Sequence, residues 1–156
     1  MSRRAPDTAA RQQPENLGVL LREPFLAASE DLHRRFAERG HDQVRPPHGN
    51  VFQFLDGAGT RVSVLAERAQ VTKQSMAELV AHLERNGYVE RTPDPSDRRA
   101  KLVRATPRGE ELYALAREFV AETEAEWGRK LGKRKLAQLR ELLEELNDAV
   151  VRARSS

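Results

Sequence analysis

Apolar residues recur along this chain at helical spacing over most of its length, interrupted by short proline- and glycine-marked breaks. Leu17, Leu20 and Leu21 open a helical pattern that resumes with Phe25, Leu32 and Phe36. Pro24 lies inside it and removes a backbone donor, which predicts a break or kink there. Gly40 closes the element. Arg45-Pro46-Pro47 is a stiff connector, and its second proline suits the first turn of a short helix carrying Val51, Phe52, Phe54 and Leu55. Asp56-Gly57-Ala58-Gly59 ends that helix. A short strand is expected at Thr60–Val62, then a helix from Ser63 as N-cap through Ala69.

The next stretch carries the clearest helix. Thr72 is a capping residue, and Val71 and Met76 are spaced as a hydrophobic staple around it. Met76, Leu79, Val80 and Leu83 then follow i, i+3, i+4, i+7 spacing, one buried face. Asn86-Gly87 tolerates the left-handed conformation that stops a helix. Tyr88–Arg91 and Lys101–Ala105 read as two strands, joined by a Pro- and Asp-rich loop over Thr92–Ala100. Thr106-Pro107 starts a new helix carrying Leu112, Leu115, Phe119, Val120 and Trp127. Beyond Gly132, Leu136, Leu139, Leu143, Leu146 and Val150, with Leu142 beside them, form two heptads of an apolar seam.

This order predicts a mainly α protein with a small β-wing. A winged helix-turn-helix lobe over residues 46–105 is flanked by an N-terminal helix region (16–45) and C-terminal helices (106–152), with a flexible leader expected at 1–15. At 156 residues the chain suits one domain. One third of the residues are charged and 38% are hydrophobic, which fits exposed helix surface better than a compact enzyme. No apolar run is long enough to cross a bilayer, and the leader lacks the apolar segment of a secretory signal, so a cytoplasmic location is expected. There is no cysteine, which excludes disulfides, thiolate metal sites and thiol redox sensing.

Charge changes the picture locally. The net charge is +3, yet residues 88–108 alone hold six Lys/Arg against three Asp/Glu, so this window matches the whole excess. A hairpin tipped by Arg98 and Arg99 is narrow enough to enter a DNA minor groove, whose negative potential favours guanidinium. By itself such a hairpin is equally a solvated basic turn.

The run Asp97-Arg98-Arg99-Ala100-Lys101-Leu102-Val103-Arg104-Ala105-Thr106 resembles the Asp-x-Arg-x-x-x-Val-x-Leu-Thr wing signature of MarR-type regulators. Val71-Thr72-Lys73-Gln74-Ser75 and Leu83 to Arg91 are similar to that family's recognition helix and its exit into the wing. Thr106-Pro107-Arg108-Gly109 resembles the start of the helix that follows. The likeness is specific from Ser63 to Gly109, with departures at Ala105, where leucine is usual, and at Glu78, where a polar or basic DNA contact is usual. It implies a homodimeric, ligand-responsive transcriptional repressor on palindromic double-stranded DNA, with residues 16–45 and 106–152 as the N- and C-terminal dimerisation helices. It also implies a small aromatic or phenolic effector bound between the dimer base and the DNA lobe. Candidate pocket residues are Phe25, Arg45, His48 and Phe52.

On a helix with its apolar face between Leu79 and Val80, Gln74, Glu78, Ala81 and Arg85 point outward, with Ser75 and His82 to one side and Lys73 and Ala77 to the other. Gln74 can pair with adenine, and Glu78 can accept from cytosine N4 while repelling phosphate. Thr72 and Lys73 sit where a helix start holds phosphate. The DNA-contact set is therefore Thr72, Lys73, Gln74, Ser75, Glu78, His82, Asp97, Arg98 and Arg99, with Asp97 bonding inside the wing to orient Arg99.

No nucleophile–base pair, phosphate-cradling glycine loop or metal-ligand spacing is present, so neither enzyme activity nor a cofactor is expected. His33, His41 and His48 are spaced by eight and seven residues, which matches no common ligand pattern, and no metal site is assigned. A helical protein–protein adaptor without specific DNA binding is the competing reading. The wing arginines argue against it.

Overall fold

The structure is a computed structural model describing residues 16–155; the leader expected at 1–15 lies outside the described residues. Helix α1 (Leu17–Glu38) leads through a 3-10 turn (Pro46–His48) into the short α2 (Gly49–Phe52). Helices α3 (Val62–Ala69) and α4 (Lys73–Arg85) form the helix-turn-helix. Strands β1 (Val89–Asp94) and β2 (Asp97–Ala105) form an antiparallel hairpin, and α5 (Pro107–Leu131) and α6 (Lys133–Ser155) complete the chain. This is a mainly α fold with a small β-wing, as the apolar pattern predicted.

Several details differ from that pattern. Helix α1 runs unbroken through Pro24. The carbonyl that Pro24 leaves without its helical donor belongs to Leu20, and both residues are exposed, so water can satisfy it. Helix α2 stops at Phe52, and Phe54 lies in the turn beyond it. The strand expected at Thr60–Val62 is a single bridge, Thr60 to Val103. Arg61, not Ser63, is the N-cap of α3, because Val62 already has helical geometry. The loop expected at Thr92–Ala100 is mostly ladder: the strands stay paired to Asp94 and Asp97, with an irregularity at Pro93/Asp94. Pro93 has no N–H to lose from a ladder in which each strand is also an edge.

The core lies in the winged lobe. Val51, Leu65, Met76, Val80, Leu83 and Tyr88 are fully buried, joined by Val89 and Val103 of the wing. Phe36 from the end of α1 and Leu112 from the start of α5 close the same cluster. Helix α6, by contrast, buries none of its described side chains fully; among them only Leu136 and Leu143 are half-buried.

Tyr88 is the junction of these parts. Its carbonyl accepts from Thr106 N at 3.1 Å, and its hydroxyl lies 2.9 Å from His41 Nδ1 and accepts from Arg108 at 3.2 Å. The Arg108 guanidinium also sits 4.6 Å over the Tyr88 ring. Gly109 makes room for this arrangement, since a Cβ there would lie 2.2 Å from the Tyr88 carbonyl oxygen. Gly109→Ala is therefore expected to destabilise the chain by about 1–3 kcal/mol through forced backbone displacement. A urea-denaturation midpoint that does not fall would contradict this packing.

Candidate nucleic-acid interface

Helix α4 begins as its sequence demands. Thr72 accepts from Ser75 N at 3.1 Å and donates to Ser75 Oγ at 2.9 Å, so its hydroxyl serves the cap. The turn before it uses Gln70 in the left-handed region (φ 55°), which lets Val71 N reach Ala66 O at 3.0 Å. With Met76, Val80 and Leu83 buried, the opposite face carries Lys73, Gln74, Ser75, Glu78 and Arg85, all exposed. Gln74 Nε2 lies 3.4 Å from Glu78 Oε1, so the two side chains share one patch of that face.

His82 departs from the expected set. Its Nε2 lies 2.9 Å from the Gln43 carbonyl oxygen, and its ring stacks on His48 at 4.4 Å and 12°. It fastens α4 to the 3-10 turn and faces the body of the lobe. His48 in turn accepts from Arg45 N at 2.9 Å through Nδ1 and is buried. Burial, then the neighbouring His82 and Arg45, pushes His48 down to about 4.

At the wing, Arg98 and Arg99 are exposed at the start of β2. Asp97 does bond inside the wing, but it accepts from the Arg99 backbone N–H at 3.0 Å and so shapes the turn rather than the guanidinium. Two residues absent from the expected set complete this end. Asp94 is buried and takes three hydrogen bonds, from Ser96 N at 2.8 Å, Ser96 Oγ at 2.7 Å and Arg61 Nε at 2.7 Å, with a terminal nitrogen of Arg61 in ion-pair contact at 2.6 Å. The Ser96 bonds, with Arg61, hold its carboxyl down at about 2. The Asp-x-Ser spacing of 94–96 is a local turn signal legible in the sequence. Arg61, 33 residues earlier, carries no such signal.

The pocket candidates separate. Phe25 is 68% exposed on α1, Arg45 is exposed, and His48 is committed to its cap. Phe52 does line an apolar cavity of about 110 Å³, together with Leu32, Phe36, Val44, Leu112 and Ala116, between α1, α2 and α5. Tyr113 closes one side and donates to the Phe52 carbonyl at 2.6 Å. The histidines do not converge: His33 bonds Ser29 O, His41 faces Tyr88, and His48 meets His82. Among the described residues no group of three His, Cys, Asp or Glu side chains could hold a metal ion.

A capped helix-turn-helix running directly into a basic two-stranded hairpin defines a winged helix-turn-helix protein. Residues 43–100 match the family model described as MarR family. That match overlaps most of the winged-helix segment and agrees with the resemblance carried by its wing. Transcriptional regulator HosA of Escherichia coli O111:H- is 35% identical over 75 residues, which cover 48% of this chain and 56% of HosA. The alignment thus spans little more than half of that curated relative. Over nearly the full fold, the chain is similar to transcriptional regulator Tm0710 of Thermotoga maritima, with a TM-score of 0.59, 28% identity and coverage of 88% of this chain and 95% of Tm0710. It is similar too to CouR of Rhodococcus jostii RHA1, solved bound to p-coumaroyl-CoA, with a TM-score of 0.65, 25% identity and coverage of 85% and 92%.

The lowered His48 fixes a pH dependence. Its folded value lies below the ordinary ~6.5, so between those values the unfolded chain binds more protons. The contribution is intact above ~6.5 and is lost as pH falls toward 4. Stability measured by urea denaturation is expected to drop more between pH 7 and pH 5 for the unmodified chain than for His48→Gln. Equal drops would contradict the assignment.

Proposed function

We propose that this chain is a sequence-specific DNA-binding transcriptional regulator that acts in the cytoplasm as a homodimer on palindromic double-stranded DNA, most simply as a ligand-responsive repressor. In this reading residues 46–105 form the DNA-binding lobe, and residues 16–45 and 106–152 form the dimer base. The observation that carries it is the pairing of an exposed polar face on α4 with a hairpin whose tip presents Arg98 and Arg99 to solvent. Gln74 and Glu78 read base edges in the major groove, Thr72, Lys73 and Ser75 meet phosphate at the helix start, and the two arginines enter the minor groove. Asp97 supports the wing from within. No described helix is long and apolar enough to cross a membrane.

Dimerisation is supported by the apolar surface left on the outer helices. Leu17, Leu20 and Phe25 of α1 are exposed, as are Leu139, Leu142 and Leu146 of α6. A second copy of the chain would cover this face.

The effector reading rests on the cavity beside Phe52 and on the ligand that CouR holds. At about 110 Å³ the cavity is smaller than the roughly 150 Å³ that accommodates benzene. A small aromatic or phenolic effector would enter only as Phe36 or Phe52 moves, which couples its binding to the seam between α1 and the DNA lobe.

Two measurements test the proposal. On a duplex selected by the unmodified protein from a random library, Arg99→Ala should weaken binding to every sequence and flatten the slope of log K against log salt by about one unit per phosphate-linked charge lost. Gln74→Ala should instead relax preference at one base position, at about 1–3 kcal/mol on the best site. Absence of any salt-dependent binding to duplex DNA would favour the adaptor reading.

For the dimer, Leu139→Asp with Leu146→Asp places charge in the shared face while leaving the single chain's own core untouched. Sedimentation should then report a folded monomer. A folded dimer would refute the assignment of this face.

A further inference from the structure

The hairpin is held to the rest of the lobe at two separated points by two consecutive residues. Thr60 clamps its root: Thr60 N donates to Val103 O and Val103 N donates to Thr60 O, both at 2.9 Å. Arg61 clamps its tip through a hydrogen bond to Asp94 at 2.7 Å with an ion-pair contact at 2.6 Å, a hydrogen bond to Ser96 Oγ at 3.4 Å and proximity to Asp97 at 3.9 Å. Along β1, Arg91 (the partner of Val103) and Asp94 are three residues apart, about 10 Å at the ordinary rise of ~3.3 Å per residue. Two fixed points that far apart determine a direction, which a single one cannot.

The tip needs such a clamp for an electrostatic reason as well. Asp94 and Asp97 are the last paired residues of the ladder, so two carboxylates stand directly opposite each other where the strands part. Arg61 reaches both from the N-cap of α3, 39% exposed at its own side chain, and places one positive charge between them. Without it the hairpin would carry two unopposed negative charges within a few residues of Arg98 and Arg99.

We infer that Arg61 is a positioning residue for DNA binding: by gripping Asp94, Ser96 and Asp97 it aims the wing arginines from the start of the helix-turn-helix, and Asp94 is its anchor. This rests on the DNA-binding reading above. It makes a prediction whose sign differs from that of simple charge counting. If Arg61 merely met phosphate, replacing the Asp94 carboxylate by a neutral isostere would free the guanidinium, remove a negative charge and tighten binding. If Arg61 aims the wing through Asp94, the same replacement loosens the tip and weakens binding.

The experiment is a titration of unmodified protein, Asp94→Asn, Arg61→Ala and Arg61→Lys against a duplex selected by the unmodified protein, repeated from 50 to 200 mM salt, with circular dichroism and thermal melting on each variant. Asn keeps an oxygen for the Ser96 turn, so Asp94→Asn folds. The expected result is binding weaker by roughly tenfold for Asp94→Asn and for Arg61→Ala, a flattened salt slope in both, and an unchanged ranking of base-substituted duplexes. Arg61→Lys should recover part of the loss, since an ammonium can pair with Asp94 but cannot fork toward Ser96 and Asp97. Equal or tighter binding by folded Asp94→Asn, with an unchanged slope, overturns the positioning role while leaving DNA binding standing. If the unmodified protein selects no duplex, the DNA-binding reading itself falls.

Discussion

A two-stranded hairpin cannot keep its own direction in water. It has one ladder, two open edges and too little apolar surface to bury, so isolated hairpins are marginal at best. The wing of this protein depends on what the neighbouring elements lend it. Val89 and Val103 sink into the lobe's core, Thr60 adds a third backbone rung, and the Tyr88 carbonyl ties the hairpin root to the start of α5. Arg91 adds a 3.1 Å ion pair to Glu84 near the end of α4. Arg61 then reaches past all of these to the tip. The basic residues of the wing are useful because these fastenings hold them in place relative to α4.

The rest of the molecule divides by how much it buries. The winged lobe holds nearly every fully buried apolar side chain described, and α1 and α5 join that core through Phe36 and Leu112, with Leu32, Leu115 and Ala116 packed against it. Farther out, α1, α5 and α6 are joined by ion pairs such as Arg35–Glu122 at 2.7 Å and Arg140–Glu124 at 2.8 Å, beside the buried Phe119 and the half-buried Leu136 and Leu143. Exposed pairs of this kind contribute little each, about 0–1 kcal/mol. A rigid reading head on a thinly packed base is an arrangement that a second copy would stabilise, and in which a small cavity at the seam has leverage. The stacked His48–His82 pair and the Tyr88–His41–Arg108 group lie along that seam.

What the sequence announced was local in origin. Thr72, Thr106 and Gly87 mark helix ends because capping is decided within three or four residues. The face Met76–Val80–Leu83 was legible because a helix repeats. The misses share the opposite cause. Helix α1 survives Pro24 because the orphaned carbonyl is wet, which no spacing rule encodes. The Pro- and Asp-rich stretch after β1 looked like loop, yet pairing continues through it because Asp94 has a cation 33 residues away. His82 flanked the outward arc by helical phase, and its ring turns to Gln43 and His48. On α5, Glu122 pairs with Arg35 of α1 and Glu124 with Arg140 of α6, partners that no local pattern marks. Long-range partners are set by the fold, so side-chain roles that depend on them emerged only in three dimensions.

The central claim is that recognition helix and wing act together on one face of duplex DNA, in different grooves. Hydroxyl-radical footprinting attacks sugars from the minor groove and tests it most directly. On a duplex selected by the unmodified protein, the account predicts two minor-groove protections flanking the bases read by α4, related by the two-fold symmetry of a dimer. Protection confined to the major-groove contact region, with fully reactive flanks, would contradict it.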